Sequence, residues 1–115
     1  MSIPRIERFE ELSRVISQNS VVILLYVDLE DDRATGYATR LAKELSERLE
    51  NIARVYIASR RLHPKPGRNI IVSMYVDGAM VFEQYDVFGV ISLDMMAIRR
   101  GIKPILRKRG YKTLF

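Results

Sequence analysis

Val21-Val22-Ile23-Leu24-Leu25-Tyr26-Val27, followed at once by Asp28-Leu29-Glu30-Asp31-Asp32, is the stretch on which the fold turns. The run is apolar at every position and rich in β-branched residues, so both faces of a strand built from it need cover. That is the pattern of a central strand with a layer packed on each side. The acidic exit leads into Ala34, Tyr37, Ala38, Leu41, Ala42, Leu45 and Leu49, which recur at helical spacing. Residues 32–50 therefore read as an amphipathic helix whose acidic first turn complements the helix dipole.

Working outward, residues 4–18 read as a first helix. Pro4 suits an opening turn, and Ile6, Phe9, Leu12, Val15 and Ile16 form its apolar side. Beyond the long helix, residues 53–58 form a second strand, and residues 59–69, with two prolines and one glycine, form a loop. Residues 70–76 are a third strand. Asp77-Gly78 is a two-residue hairpin turn, and residues 79–87 return antiparallel. Ser92 reads as the cap of a last helix over residues 93–100 that stops near Gly101, because Pro104 is costly inside a helix.

Composition bounds the chemistry. The chain has 115 residues, 48% hydrophobic and 29% charged, enough for one core and no more. Cysteine is absent, which excludes disulfides, thiolate metal sites and thiol redox chemistry. One histidine, His63, excludes a multi-histidine metal site from one chain. No run is long enough to span a membrane, and charges interrupt the opening residues where a secretory signal would need an apolar core. A cytoplasmic location is the expectation, with no membrane association. Arginine outnumbers lysine by 14 to 5, which leans towards a thermophilic source.

Charge is uneven. The formal net charge is +5, yet residues 95–115 carry seven cations and no acid, leaving residues 1–94 slightly acidic. Two basic clusters follow. Arg60, Arg61, Lys65 and Arg68 surround His63, and Arg99, Arg100, Lys103, Arg107, Lys108, Arg109 and Lys112 crowd the final segment. Both are candidate anion or nucleic-acid contacts. Tyr111, Leu114 and Phe115 at the end of the basic segment are candidate protein-docking or self-association residues. His63 itself reads as a solvent-facing loop residue. Among Asp28, Glu30, Asp31 and Asp32, a magnesium site is conceivable, but helix capping by Asp31 or Asp32 is the preferred reading. For Phe82, Tyr85 and Phe88 an exposed patch is one reading and sheet packing the preferred one, and Met95 and Met96 read as packing of the last helix.

The order of elements resembles the thioredoxin-like fold over about residues 5–108. Phe9-Glu10-Glu11-Leu12 ahead of the central strand, the VVILLYV strand itself, Met74-Tyr75-Val76-Asp77-Gly78 at the hairpin and Gly89 before the last helix carry the likeness. The resemblance implies an α/β domain, and a last helix that stops near Gly101 bounds that domain at residues 1–101, with a basic extension over residues 102–115. Its four-stranded mixed sheet takes the order 2-1-3-4, with strands 1, 2 and 3 parallel, strand 4 antiparallel and helices on both faces.

The redox elements of that fold are missing. Asp31-Asp32-Arg33-Ala34 stands where the Cys-x-x-Cys motif belongs, Ile70 or a neighbour where a proline belongs, and Leu25 near the place of the buried acid. Without a thiolate there is no attacking nucleophile. The expectation is a non-catalytic interaction module with no cofactor and no metal, or alternatively a nucleic-acid-binding accessory protein.

Overall fold

The computed structural model describes residues 2–113 and 115. Five strands and three α-helices follow in the order β1 (Arg5–Ile6), α1 (Phe9–Gln18), β2 (Val21–Val27), α2 (Asp32–Arg48), β3 (Arg54–Ser59), β4 (Ile71–Val76), β5 (Ala79–Gln84) and α3 (Ile91–Lys108). A single 3-10 turn, Arg60–Leu62, follows β3. The sheet order is β1-β3-β2-β4-β5. The four strands β3-β2-β4-β5 match the expected order, β1 adds a fifth at the β3 edge, and the central strand is VVILLYV.

Every residue of β2 is buried. Val21, Ile23, Leu25 and Val27 face a core shared with α2 and α3 through Leu41, Leu45, Ile98 and Ile102. Val22, Leu24 and Tyr26 face the opposite core, closed by Leu12 of α1, Ile6 and Leu62. The two-residue alternation of a strand thus splits one apolar run between two layers. Tyr26 hides its hydroxyl there by bonding the Tyr75 hydroxyl at 3.1 Å.

Four expectations require correction. The first concerns the opening helix, which begins at Phe9 rather than Pro4. Arg5 and Ile6 instead form a fifth strand paired parallel to β3 opposite Ile57 and Ala58. Pro4 contributes its carbonyl to the Ile57 amide at 3.0 Å. Ile6 is buried from this edge strand, so its apparent place in a helical stripe was a coincidence of spacing.

The second concerns direction. β3 runs parallel to β2, but β4 runs antiparallel to it. The loop between β3 and β4 holds only the short 3-10 turn, with no crossover helix to carry the chain back across the sheet. β4 therefore starts at the end where β3 stops. β5 pairs antiparallel to β4 through Asp77 (φ 51°) and Gly78 (φ 85°), the double positive φ of the expected turn. It ends at Gln84, short of the expected residue 87.

The third and fourth concern α3. Its N-cap is Val90, not Ser92. The helix also continues through Gly101 and Pro104 to Lys108, so residues 102–108 belong to it. A proline in a helix interior costs about 3 kcal/mol. Burial of Ile102, Leu106 and Phe115 offsets that at roughly 1.5–3 kcal/mol each. The true stop is Gly110 (φ 89°), whose amide bonds Arg107 O while the Tyr111 amide bonds Leu106 O at 2.9 Å, a Schellman closure.

Candidate interaction surface

The carboxyl ends of β2 and β3 meet the start of α2. Asp31 caps α2, accepting from the Ala34 amide at 3.0 Å, and Asp28 closes a turn by accepting from Glu30 N at 3.1 Å. The acidic turn is thus occupied with backbone, as capping requires. Beside it lies a cleft of about 380 Å³ lined by Asp28, Glu30, Ser59, Arg60, Arg61 and Arg68, among others. It is charged in both senses and holds no thiol.

The loop over residues 60–70 departs from the sequence reading. Arg60, a candidate anion contact, is buried. Its guanidinium donates to Asn69 O at 2.8 Å, Lys65 O at 2.6 Å and Asn69 Oδ1 at 3.1 Å, holding the loop closed. A fork of fixed donors suits that stapling role. Arg61 is exposed and donates to Glu7 O, Lys65 Nζ lies 3.9 Å from the Tyr85 ring centroid, and Arg68 lines the cleft. Three of the four cations, Arg60, Arg61 and Arg68, thus line one cleft, and Lys65 lies apart against Tyr85.

His63 is not solvent-facing. Its side chain is 5% exposed and lies 3.0 Å from Glu83 of β5, between the Tyr26 and Tyr85 rings. Ser73 donates to the same Glu83 carboxylate. Burial pushes the Glu83 carboxyl up, but hydrogen bonds from Ser73, His63 and Tyr85 outweigh it and hold the group below the usual carboxylate range. Burial, followed by the Tyr75 hydrogen bond, raises the Tyr26 phenol well above its ordinary value. Sequence reasoning missed this cluster because its members come from four separate elements. The only legible signal was a histidine and a glutamate outside any amphipathic pattern.

Several apolar side chains are exposed elsewhere, Phe9 of α1 to 63% and Met80 of β5 to 52% among them. Tyr85, Phe88, Val90, Leu93 and Met96 are all exposed, Phe88 to 67%, along the exit from β5 and the first turns of α3. Phe82 and Met95 pack inward as expected, while Tyr85, Phe88 and Met96 do not. Buried Asp94 holds this segment in place. It accepts from Phe88 N at 2.8 Å, Gly89 N at 3.1 Å and the Tyr37 hydroxyl.

The basic segment divides in two. Arg99, Arg100, Lys103, Arg107 and Lys108 lie on α3, and Arg109 and Lys112 follow it. No salt bridge involves any of these side chains among the described residues. The docking candidates fare differently. Phe115 is buried in the chain's own core with its carbonyl bonded by Arg99 Nε at 2.7 Å, and Tyr111 packs half-buried against that core. Phe115 is therefore not free to dock, Tyr111 keeps part of its surface exposed, and Leu114 lies outside the described residues.

No protein-family model matches the chain, and no curated protein sequence matches it. Solved structures do. Plasmodium falciparum thioredoxin superposes with a TM-score of 0.66 at 14% identity, covering 85% of this chain and 98% of that one. Mitochondrial thioredoxin 3 of Saccharomyces cerevisiae gives 0.65 at 13% identity, covering 89% and 94%. A thioredoxin mutant of Halobacterium salinarum gives 0.62 at 15% identity, covering 87% and 90%. The chain has a thioredoxin-like fold without cysteine, and identities this low carry the fold alone.

Proposed function

We propose that this chain is a non-catalytic binding module on a thioredoxin-like scaffold. Its lack of cysteine leaves the place of the dithiol to Asp31 and Ala34, one capping the long helix and the other donating its amide to that cap. The observation that carries the reading is the exposed apolar run Tyr85, Phe88, Val90, Leu93 and Met96 on a segment pinned by Asp94. Rigid, exposed aromatic and aliphatic groups concentrated in one short segment are the usual mark of a protein-binding surface. Affinity capture from the source cell with the native chain, compared with Phe88→Ser/Val90→Ser, tests it. The reading expects a discrete protein partner lost in the variant. Equal capture by both chains argues against it.

A second reading has one observation in its favour. The five cations of α3, which form no ion pair among the described residues, are a candidate contact for a nucleic-acid backbone. Salt-dependent gel shifts with RNA and DNA, repeated with Arg100→Ala/Arg107→Ala, separate this reading from the first.

A further inference from the structure

The outward face of α3 repeats every three and four residues. Leu93, Met96, Arg100, Lys103 and Arg107 stand at i, i+3, i+7, i+10 and i+14, the spacing of a coiled-coil seam. The opposite face, Ile98, Ile102 and Leu106, is buried in the core. Leu93, Met96, Arg100 and Arg107 are exposed, and Lys103 is half-buried. The seam is about 21 Å long at 1.5 Å per residue. It is apolar over its first two positions and cationic over its last three. Asp94 is the sole acid of α3, and it is buried against Tyr37, so nothing on the helix balances the cations.

We infer that this seam receives an amphipathic helix of a different protein, whose facing side is apolar opposite Leu93 and Met96 and acidic opposite Arg100, Lys103 and Arg107. The inference rests on the binding-module reading and extends its surface from Phe88 and Val90 along α3. Three alternatives fit the chemistry less well. A nucleic-acid backbone would engage the cations but leave Leu93 and Met96 against phosphates. A lipid surface favours apolar groups along the length of a helix with cations at its sides. Here cations hold the centre of the face over its second half.

A second copy of this chain lacks the matching face. α3 would set cations against cations or against Leu93 and Met96. The exposed side of α2 mixes Asp32 and Glu47 with Arg33, Arg40, Lys43 and Arg48, and α1, with Phe9 and Glu10 exposed at its start and Arg14 beyond them, spans ten residues, too few to oppose the whole seam. The cations also strain one another. The Lys103 ammonium lies below the usual lysine range, through desolvation first and then the Arg99 and Arg107 charges. An acidic helix laid alongside relieves that repulsion.

The probe is a pair of labelled synthetic helical peptides of about eighteen residues, enough for the seam at the helical rise. Each places leucine at two facing positions and glutamate at the next three, in the two sequence orders, so that either helix direction is offered. At least one is expected to bind the native chain with an affinity that falls steeply with salt. Arg100→Glu/Lys103→Glu/Arg107→Glu should weaken that binding at least tenfold, and a peptide with lysine in place of glutamate should bind this variant and not the native chain. Leu93→Ser/Met96→Ser should weaken binding while leaving its salt dependence unchanged. Should the triple variant fail to fold, Arg100→Gln/Arg107→Gln, confined to exposed side chains, gives the same reading.

The inference is overturned if neither peptide binds, or if charge reversal leaves binding unchanged. It is overturned equally if polyuridylate or phosphatidylglycerol vesicles bind through these cations more tightly than the peptides, or if sedimentation shows self-association through this face. A captured partner that depends on Phe88 and Val90 but not on the α3 cations overturns the seam while leaving the module reading intact.

Discussion

Tyr37 on α2 donates its hydroxyl hydrogen to Asp94 on α3, and the same buried carboxylate accepts from the Phe88 and Gly89 amides. One side chain therefore joins two helices to the loop that displays Phe88 and Val90. Hydrogen bonds to a charged acceptor contribute about 1.5–3 kcal/mol. Tyr37→Phe should cost an amount in that range, read from the urea midpoint. Asp94→Ala leaves the Phe88 and Gly89 amides without their partner and should cost more. Amide exchange at those two residues should rise in Asp94→Ala, with binding through the exposed run weakened even in molecules that remain folded. Unchanged exchange there would show that the loop is held by other contacts.

Gly101 lies against the Phe82 ring of β5, and a Cβ at that position would fall inside the ring's van der Waals envelope. Alanine normally favours a helix interior over glycine by about 1 kcal/mol. Here overpacking, typically about 1–3 kcal/mol, works against it. Gly101→Ala should therefore destabilise the fold. Phe82→Leu in the same chain should recover part of the loss. Chemical denaturation of the two single variants and the double measures the coupling, and additivity would refute the contact.

Glu83 and Tyr26, two members of the cluster around His63, should make stability fall at both ends of the pH range. The Glu83 carboxyl is held below its ordinary value of 4.5, so its contribution is present above that value. It is lost as pH falls through the folded value, where the unfolded chain takes up the proton first. The Tyr26 phenol is raised above its ordinary value of 10.0, so its contribution is present below that pH and lost as pH rises past it. Unfolding midpoints across pH should show both limbs. Glu83→Gln should flatten the acid limb and Tyr26→Phe the alkaline one, each leaving the other in place.

The central strand, the long helix and the Asp77-Gly78 turn were legible because each rests on local pattern: a two-sided apolar run, a helical stripe, a dipeptide that tolerates positive φ. The end of α3 was not, because two glycines compete for the role. Gly101 reads as a stop, yet it is there for the approach of Phe82, while Gly110, nine residues on, makes the turn. Deciding between them requires knowing what packs on each. The basic loop failed for the same reason. Arg60 and His63 look like solvent residues until Asn69, Lys65 and Glu83 are brought against them by tertiary folding. Tyr111 and Phe115 look like docking groups until α3 extends far enough to return them to the core.

By the resemblance to thioredoxin-like proteins, Asp31 and Ala34 stand where the dithiol belongs, and the Asp31 carboxylate reaches the Ala34 amide at 3.0 Å. The native chain should show no turnover in an insulin-reduction assay, since no side chain can form the mixed disulfide. Asp31→Cys/Ala34→Cys places two thiols on the first turn of α2, where the helix N-terminus favours thiolate. These thiols should titrate in the reduced variant and disappear on mild oxidation. The reduced variant should be less stable by about 0.5–2 kcal/mol, the cost of losing the Asp31 cap. Closing the disulfide should restore much of that. Thiols that stay free under oxidising conditions would mean that this end of the sheet departs from the geometry its thioredoxin-like fold implies. A closed disulfide would locate the lack of redox chemistry in the side chains at residues 31 and 34, not in the backbone that carries them.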